Sequence, residues 1–174
     1  MKKRCNLAKS TKLIIVIIAV LGVFVSVLAY LNREMMLERL EHLEIGTFMV
    51  SSGEKVFNIS LQDLLSMSPS AIYTSPRGVR RDFTGVPLAA ILEHLDIDHS
   101  QFRSIVFLSL DGFATAISIE EAMNADNTFI VFEEDGKALG TREEGGLGPY
   151  MVVMARDPFP NRWARYLMEI KLQE

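Results

Sequence analysis

The stretch GGLGPYMVVMARDPFPNRWARYLMEIKL, residues 145–172, decides the fold of this chain. Its runs YMVVMA and RYLMEIKL are rich in apolar residues and are typical of strands. The segment RDPFPNRWA between them carries two prolines, which interrupt strand pairing, so it predicts a loop. The segment GGLGP lacks the Lys-Ser/Thr of a phosphate-binding loop and predicts a flexible entry to the first strand. The stretch therefore predicts two closing strands joined by a Pro-rich loop.

Strand and helix signals alternate irregularly upstream of this stretch. TFMV and KVFNI flank a Ser-Ser-Gly-Glu turn and predict a hairpin, after which Ser60 and Asp63 form a capping box that starts a helix. Pro87 opens a second helix, and a capping box at Ser118 and Glu121 opens a third. The runs AIYTS, SIVFLSL, FATAISI, TFIVF and KAL predict further strands. Because this order has no βαβ rhythm, the predicted class is α+β, with mixed sheets and short helices.

The N-terminal part is an apolar run behind a basic tail. The run Leu13–Leu31 carries no charge and is long enough for one membrane span, and five Lys or Arg without any acidic residue precede it. The positive-inside rule then keeps the tail in the cytoplasm and exports the rest. A signal peptide cleaved after Ala29 is the alternative. We predict a tail with an anchor or signal at 1–31, a juxtamembrane linker helix at 32–46, and one domain at 47–174.

The part of the chain beyond the apolar run is acidic. It carries 13 Lys and Arg against 22 Asp and Glu, a net charge of −9. Such a surface argues against binding to nucleic acid and against a second attachment to anionic lipid. We therefore expect the partner to be a small molecule or another protein.

Several common kinds of site are missing from the sequence. The one cysteine, Cys5, precedes the apolar run, so the exported part has no thiol for a disulfide, a metal or a nucleophile. There is no Walker loop, HExxH, Gly-x-Ser-x-Gly or dinucleotide fingerprint. Acidic and His residues crowd residues 93–99, but their spacing fits no metal site, and we interpret them as a solvated helix end.

A set of polar and planar side chains at predicted strand ends suits a flat heterocycle such as a pterin. A carboxylate can grip the amino edge of a pterin, arginines can donate to its opposite edge, and Trp or Arg can stack on its faces. A core position for Trp163 and a turn role for Asp111 are the alternatives. The set consists of Thr74, Ser75, Arg77, Asp111, Arg142, Arg162 and Trp163.

Four motifs in order carry a family resemblance: FTGVPLAAIL, SLDGFATAISIEEA, EDGKAL and the stretch at residues 145–172. Across residues 47–174 they resemble the oxidoreductase molybdopterin-binding domain of the sulfite oxidase fold. Phe113 stands where this family usually has Tyr after Asp-Gly, and Met151 stands where many members have Arg. The resemblance implies the sulfite oxidase fold for the exported part, with Phe113 beside the ligand.

The resemblance also exposes a departure from the family. Enzymes of this fold bind molybdenum through a cysteine in the loop after the strand that AIYTS resembles, and this chain has Thr74 and Ser75 there. These two residues would line the former metal end, but a hydroxyl does not replace a soft thiolate as a permanent ligand. We therefore expect no molybdenum and no oxygen-transfer activity, and we do not expect an enzyme.

Exported members without the cysteine resemble pterin-binding proteins, some of which report to membrane enzymes that make or degrade cyclic di-GMP. The resemblance implies a pterin ligand and a partner with a periplasmic sensory domain. It also implies a place on the periplasmic face of the bacterial inner membrane, or in the soluble periplasm if the leader is cleaved. In this interpretation Asp111 holds the amino edge of the pterin, Arg77 and Arg142 donate to the opposite edge, and Trp163 stacks.

Two other functions stay open. A domain that has lost ligand binding would serve as a membrane-tethered interaction subunit. The departures at Phe113 and Met151 favour that function, whereas the retained Asp111, Arg162 and Trp163 oppose it. A molybdopterin-dependent oxidoreductase would need an unorthodox metal ligand.

Overall fold

The computed structural model describes residue 12, residues 14–31, residue 33 and residues 46–174. The chain divides into two compact units, Met1–Arg39 and Leu40–Glu174. The first unit contains helix α1, Ile14–Leu31, which is long and apolar enough to cross a membrane and which resembles a signal sequence equally well. The prediction of one apolar N-terminal helix is confirmed. The predicted linker helix lies outside the described residues except at residues 33 and 46.

The second unit is a domain of short strands and three short α-helices among its described residues. Single 3₁₀ turns follow β3, precede β5 and precede β10. The helices are α2 (Leu61–Ser66), α3 (Leu88–His94) and α4 (Ile119–Ala122). The strands are β1 (Thr47–Ser52), β2 (Lys55–Ser60), β3 (Ser70–Thr74), β4 (Arg81–Pro87), β5 (Ser104–Ser109), β6 (Ala114–Ser118), β7 (Thr128–Glu134), β8 (Lys137–Ala138), β9 (Met151–Met154) and β10 (Leu167–Gln173).

The strands form two sheets. The first has the order β2-β1-β10-β5-β6, in which β1 and β10 run parallel and the other neighbours run antiparallel. The second has the order β3-β4-β7, and the far edge of β7 is shared by β8 and β9. The class is therefore mixed sheets with short helices, as the irregular sequence pattern predicts. The closing strands β9 and β10 belong to different sheets, so the Pro-rich loop between them connects the two.

The capping box at Ser60 forms as predicted. The Ser60 hydroxyl accepts a hydrogen bond from the Asp63 N–H at 3.3 Å, and the Asp63 carboxylate accepts one from the Ser60 N–H at 2.8 Å. These hydrogen bonds from Ser60 lower the pKa of Asp63, because they favour the charged carboxylate. The box supplies partners for amide groups that the first turn of α2 leaves open.

Strand β4 is the main element that the sequence analysis missed. We predicted a loop followed by a helix opening at Pro87, but Arg81–Pro87 pairs with both β3 and β7, and α3 begins at Leu88. The sequence of β4 does not suggest a strand, because its first residues are polar and because it contains Gly85, which lies at a register shift. A Cβ at Gly85 would lie 2.4 Å from the carbonyl oxygen of Ile130, so the strands approach there as only glycine allows.

One hydrophobic cluster joins the two sheets with α2 and α3. In the first sheet the apolar side chains alternate, as Phe48 and Val50 do on β1. In contrast, β9 is buried along its whole length. The core therefore fixes both ends of the Pro-rich loop, and the predicted site residues lie around that loop and around the start of β10.

Candidate functional site

The eight predicted ligand residues fall into two groups by their contacts. The first group lies against the loop of residues 155–163 between β9 and β10, and the second lies around Tyr166, just before β10. The first group is Thr74, Ser75, Arg77, Arg162 and Trp163. The second group is Asp111, Phe113 and Arg142.

In the first group, the end of β3 lies on the loop of residues 155–163. Thr74 is 4% exposed, and its hydroxyl donates to the carbonyl oxygen of Ala155 at 3.1 Å. The Arg77 N–H donates to the carbonyl oxygen of Pro158 at 3.1 Å, from a residue with the left-handed φ of 55°. Ser75, which with Thr74 stands where the resemblance implies the former metal end, is exposed. The buried Thr74 therefore holds the end of β3 to the loop of residues 155–163. Ser75 and Arg77 are exposed, so a ligand could reach these two residues.

Trp163 packs inside the core. It is 5% exposed, and its indole N–H donates to the carbonyl oxygen of Met154 at 3.2 Å. Its ring meets the Phe83 ring edge-on at 5.7 Å between centroids, and the Arg81 guanidinium lies 5.6 Å from its centroid. In this conformation the indole contributes to packing, so a ligand would need another ring on which to stack.

Arg162 is engaged by two carboxylates. Its guanidinium donates twice to Asp157, at 2.6 and 2.8 Å, and twice to Glu121, at 2.7 and 3.0 Å. Hydrogen bonds to Asp157, and then those to Glu121, raise the pKa of Arg162. Because Glu121 belongs to α4, Arg162 ties the loop of residues 155–163 to that helix. The predicted ligand cation is thus a structural bridge in this conformation.

A second arginine near Trp163 is also paired. Arg81 donates to both oxygens of Glu134 across strands β4 and β7, with one distance of 2.7 Å. Its guanidinium also lies 5.0 Å from the Phe83 centroid. Within residues 46–174 no ion pair involves Arg77 or Arg142, so these two predicted residues are the cations best placed to meet a ligand.

The second group converges on Tyr166, which the sequence analysis took only as the start of a strand. Tyr166 has a φ of 53°, a conformation that an aromatic residue seldom adopts. The Arg142 guanidinium lies 6.0 Å from the centroid of its ring. The carbonyl oxygen of Tyr166 accepts the Leu110 N–H at 3.0 Å, which brings the Asp111 turn to the same place. No sequence signal distinguishes this Tyr, because a left-handed φ depends on the tertiary contacts around it.

The turn between β5 and β6 holds Asp111 and Phe113. Asp111 Oδ1 accepts the Phe113 N–H at 3.0 Å, and Gly112 has a φ of 84°, so the turn role considered for Asp111 is present. Asp111 is exposed and the Phe113 ring is 38% exposed. At the base of the turn, the buried hydroxyl of Ser109 has no hydrogen-bond partner within the described part of the chain. The turn therefore presents an exposed carboxylate and an exposed aromatic ring, and its residue Leu110 is hydrogen-bonded to the Tyr166 backbone.

The segment from Leu139 to Tyr150, which we call the strap, carries Arg142. A Cβ at Gly146 would lie 2.3 Å from the carbonyl oxygen of Leu139, so backbone packs on backbone within the strap. Glu144 accepts the Thr141 N–H at 2.8 Å, and this bond lowers the pKa of Glu144. The strap is therefore a closely packed support for Arg142.

Two cavities are lined by other residues. One of about 600 Å³ is lined by residues that include Glu93, Asp98 and Met123, and one of about 410 Å³ lies on the other side of the Asp96–Asp98 turn. Neither is lined by a predicted ligand residue. Among the described residues no group of three or more His, Cys, Asp or Glu could hold a metal ion, and this includes the crowded residues 93–99.

Comparisons with known proteins agree with this fold. The family model described as the oxidoreductase molybdopterin binding domain matches residues 34–174. A similar solved structure is the sulfane dehydrogenase SoxCD from Paracoccus pantotrophus, with a TM-score of 0.57 and 16% identity. The match covers 73% of this chain and only 38% of the SoxCD chain, so it shows the fold alone. No curated protein sequence matches. The match over residues 34–174 places this chain in the oxidoreductase molybdopterin binding domain family.

Proposed function

We propose that this chain is an exported pterin-binding protein that works without molybdenum and signals ligand occupancy to a membrane partner. The observation that carries the proposal is that Arg142 lies over the partly exposed Tyr166 ring, while the Tyr166 carbonyl oxygen accepts the N–H of Leu110, the residue before the exposed carboxylate of Asp111. A pterin needs these three kinds of group. Membership of a molybdopterin-binding family supports a pterin as the ligand class.

The roles in the binding site follow from these contacts. The Asp111 carboxylate faces the amino edge of the pterin, and Arg142 donates to the opposite edge, as the sequence predicts. Tyr166, with Phe113 next to the Asp111 turn, provides the aromatic surface, because Trp163 is packed in the core. Arg77, in the first group, is a further exposed cation for the ligand's anionic substituents.

The residues present do not fit a molybdenum centre held by a thiolate. Thr74 and Ser75 stand where the resemblance implies the metal-binding cysteine, and the chain's one thiol, Cys5, precedes helix α1. A serine hydroxyl is a hard ligand with a high pKa, whereas the resemblance implies a soft thiolate at this position. The proposed function therefore includes no metal-dependent step and is non-enzymatic.

The export and partner also belong to the proposal. Helix α1 follows a basic tail, which supports a cytoplasmic N-terminus and a periplasmic domain at the inner membrane. The partner is a membrane receptor with a periplasmic sensory domain, such as an enzyme of cyclic di-GMP. A neighbouring gene for such an enzyme would identify the partner to test.

An interaction subunit without a ligand is the second candidate, and one observation favours it. Three large apolar side chains near Ser75 are well exposed to solvent. The exposed fractions are 62% for Tyr73 and Val79 and 53% for Phe159. Arg80 covers one face of the Tyr73 ring at 4.8 Å, and the Arg77–Pro158 hydrogen bond brings Phe159 to the same surface. Exposed apolar groups of this kind are common at protein interfaces.

Titration of the full chain in detergent with neopterin tests the first candidate. The fluorescence anisotropy of the pterin is the suitable signal, because Trp163 is only 5% exposed. We expect binding well below millimolar, and at least about tenfold weaker binding for Asp111→Asn and Arg142→Gln. Arg156→Gln, at an exposed arginine of the loop of residues 155–163, is the matched control.

Two outcomes would contradict the proposal. Binding no tighter than about millimolar, a free energy of only ~4 kcal/mol, would favour the interaction subunit. Stoichiometric molybdenum in protein purified from its native host would favour a molybdopterin-dependent oxidoreductase instead.

A further inference from the structure

The hydroxyl of Tyr150 holds the point where the chain enters the domain. Tyr150 is 2% exposed, and its hydroxyl donates to the carbonyl oxygen of Gly46 at 2.6 Å. Its ring meets the Phe48 ring edge-on at 5.0 Å. Gly46 directly precedes β1 and has a φ of 65°. One buried side chain therefore fixes the junction between the domain and the segment that leads back to α1.

The same strap that ends in Tyr150 is held by the candidate ligand site. The Tyr166 hydroxyl donates to the carbonyl oxygen of Gly146 at 2.9 Å, and the Tyr166 N–H donates to that of Leu147 at 3.1 Å. The next residue, Leu167, donates its N–H to the carbonyl oxygen of Tyr150 at 2.9 Å. Tyr166 thus holds the strap at Gly146 and Leu147, only a few residues before Tyr150, whose hydroxyl binds Gly46.

The strap has little freedom to absorb a displacement. Its backbone is packed against itself at Gly146, and a Cβ at Gly148 would lie 2.7 Å from the Leu139 Cβ. Close contacts between backbone segments transmit strain instead of dissipating it locally. A displacement at Gly146 should therefore reach Tyr150.

We propose that the strap couples ligand binding at Tyr166 to the hydrogen bond between the Tyr150 hydroxyl and the Gly46 carbonyl oxygen. This inference rests on the proposed function. A ligand that stacks on Tyr166 and draws Arg142 from its ring changes the hydrogen bond from Tyr166 to Gly146. The strap carries that change to Tyr150, and the strength of the Tyr150–Gly46 hydrogen bond becomes the output toward the membrane segment.

Hydrogen exchange in the full chain tests the coupling without any ligand. Tyr166→Phe removes the hydroxyl donor to Gly146 and keeps the ring. We expect amide exchange in residues 46–50 to become at least about fivefold faster, although Tyr166 makes no hydrogen bond to these residues in the part of the chain that the structure describes. Tyr73→Phe, at an exposed tyrosine of the other sheet, should leave exchange there unchanged. Faster exchange at Gly146–Gly148 with unchanged exchange in residues 46–50 would overturn the coupling.

A ligand arm separates this inference from the proposed function. Neopterin bound to the unaltered chain should change exchange in residues 46–50 at least about twofold. Tyr150→Phe should keep neopterin affinity within about twofold and abolish that response, because the ring remains and only the hydrogen bond to Gly46 is lost. Binding without any response in the unaltered chain overturns the coupling and leaves the proposed function standing. Failure to bind refutes the neopterin proposal, and the Tyr166→Phe result then decides the coupling alone.

Discussion

The indole N–H of Trp163 donates to the carbonyl oxygen of Met154 at 3.2 Å, so the side chain best suited to stack on a ligand is tied to the end of β9. The Met154 oxygen also accepts the N–H of Asp157 at 3.2 Å. Trp163 therefore closes the start of the loop of residues 155–163 from inside the core, and its first role is stability.

Trp163→Phe should destabilise the domain by about 2 kcal/mol, because the indole volume and one hydrogen bond are lost while Asp157 still satisfies the Met154 oxygen. Urea unfolding of the full chain in detergent measures the change. Phe159→Leu, at an aromatic residue that is 53% exposed, is the matched control and should stay within about 0.5 kcal/mol. A Trp163→Phe variant as stable as the unaltered chain would show that the core position is unimportant.

The local elements were predictable because their signals are local. The Ser60 capping box and the Ser118 N-cap each depend on residues three positions apart, and both side chains accept the expected N–H. The pairing of Arg162 with Glu121 joins residues 41 positions apart, and no pattern in the sequence predicts it. The same holds for the left-handed Tyr166. The fold was therefore accessible from motifs, whereas the state of each site residue depended on which partner the tertiary structure brought to it.

Arg162→Gln should destabilise the domain by about 1 to 2 kcal/mol, because Asp157 and Glu121 would then face each other without their shared cation. Solvent screening limits this loss of stability, since the Arg162 side chain is 39% exposed. Urea unfolding at about 0.1 M and about 1 M salt measures it, and salt should shrink the difference.

Arg156→Gln provides the control for that change. Arg156 pairs with Asp126 at 3.4 Å with both side chains well exposed, so its loss should cost less than about 0.5 kcal/mol. Equal losses in the free energy of unfolding for the two variants would contradict the prediction, because the two carboxylate partners of Arg162 would then add no stability beyond that of an exposed ion pair.

Gly146→Ala should disrupt the strap. The new Cβ would lie 2.3 Å from the Leu139 carbonyl oxygen and 2.5 Å from the Gly140 carbonyl carbon, and backbone atoms cannot move aside cheaply. We expect a loss of about 3 kcal/mol or more in urea unfolding, together with weaker neopterin binding if the strap supports Arg142. Gly53→Ala is the control. It has a φ of 60° but open space around it, so only backbone strain of about 1 kcal/mol is expected.

Alkaline pH should weaken the domain through Tyr150. Burial, and then the nearby charge of Asp63, raise the pKa of Tyr150 from 10.0 to about 12. Between these values the unfolded chain releases the phenol proton while the folded domain retains it. The stability that depends on the neutral phenol is therefore fully present below about pH 10 and is lost as the pH rises through about 12, by an amount on the order of 2 kcal/mol. Urea unfolding across this range should show a steeper decline for the unaltered chain than for Tyr150→Phe, which cannot ionise. Tyr73→Phe, at an exposed ring, should decline as steeply as the unaltered chain, and parallel declines for all three chains would show that Tyr150 is not the group responsible.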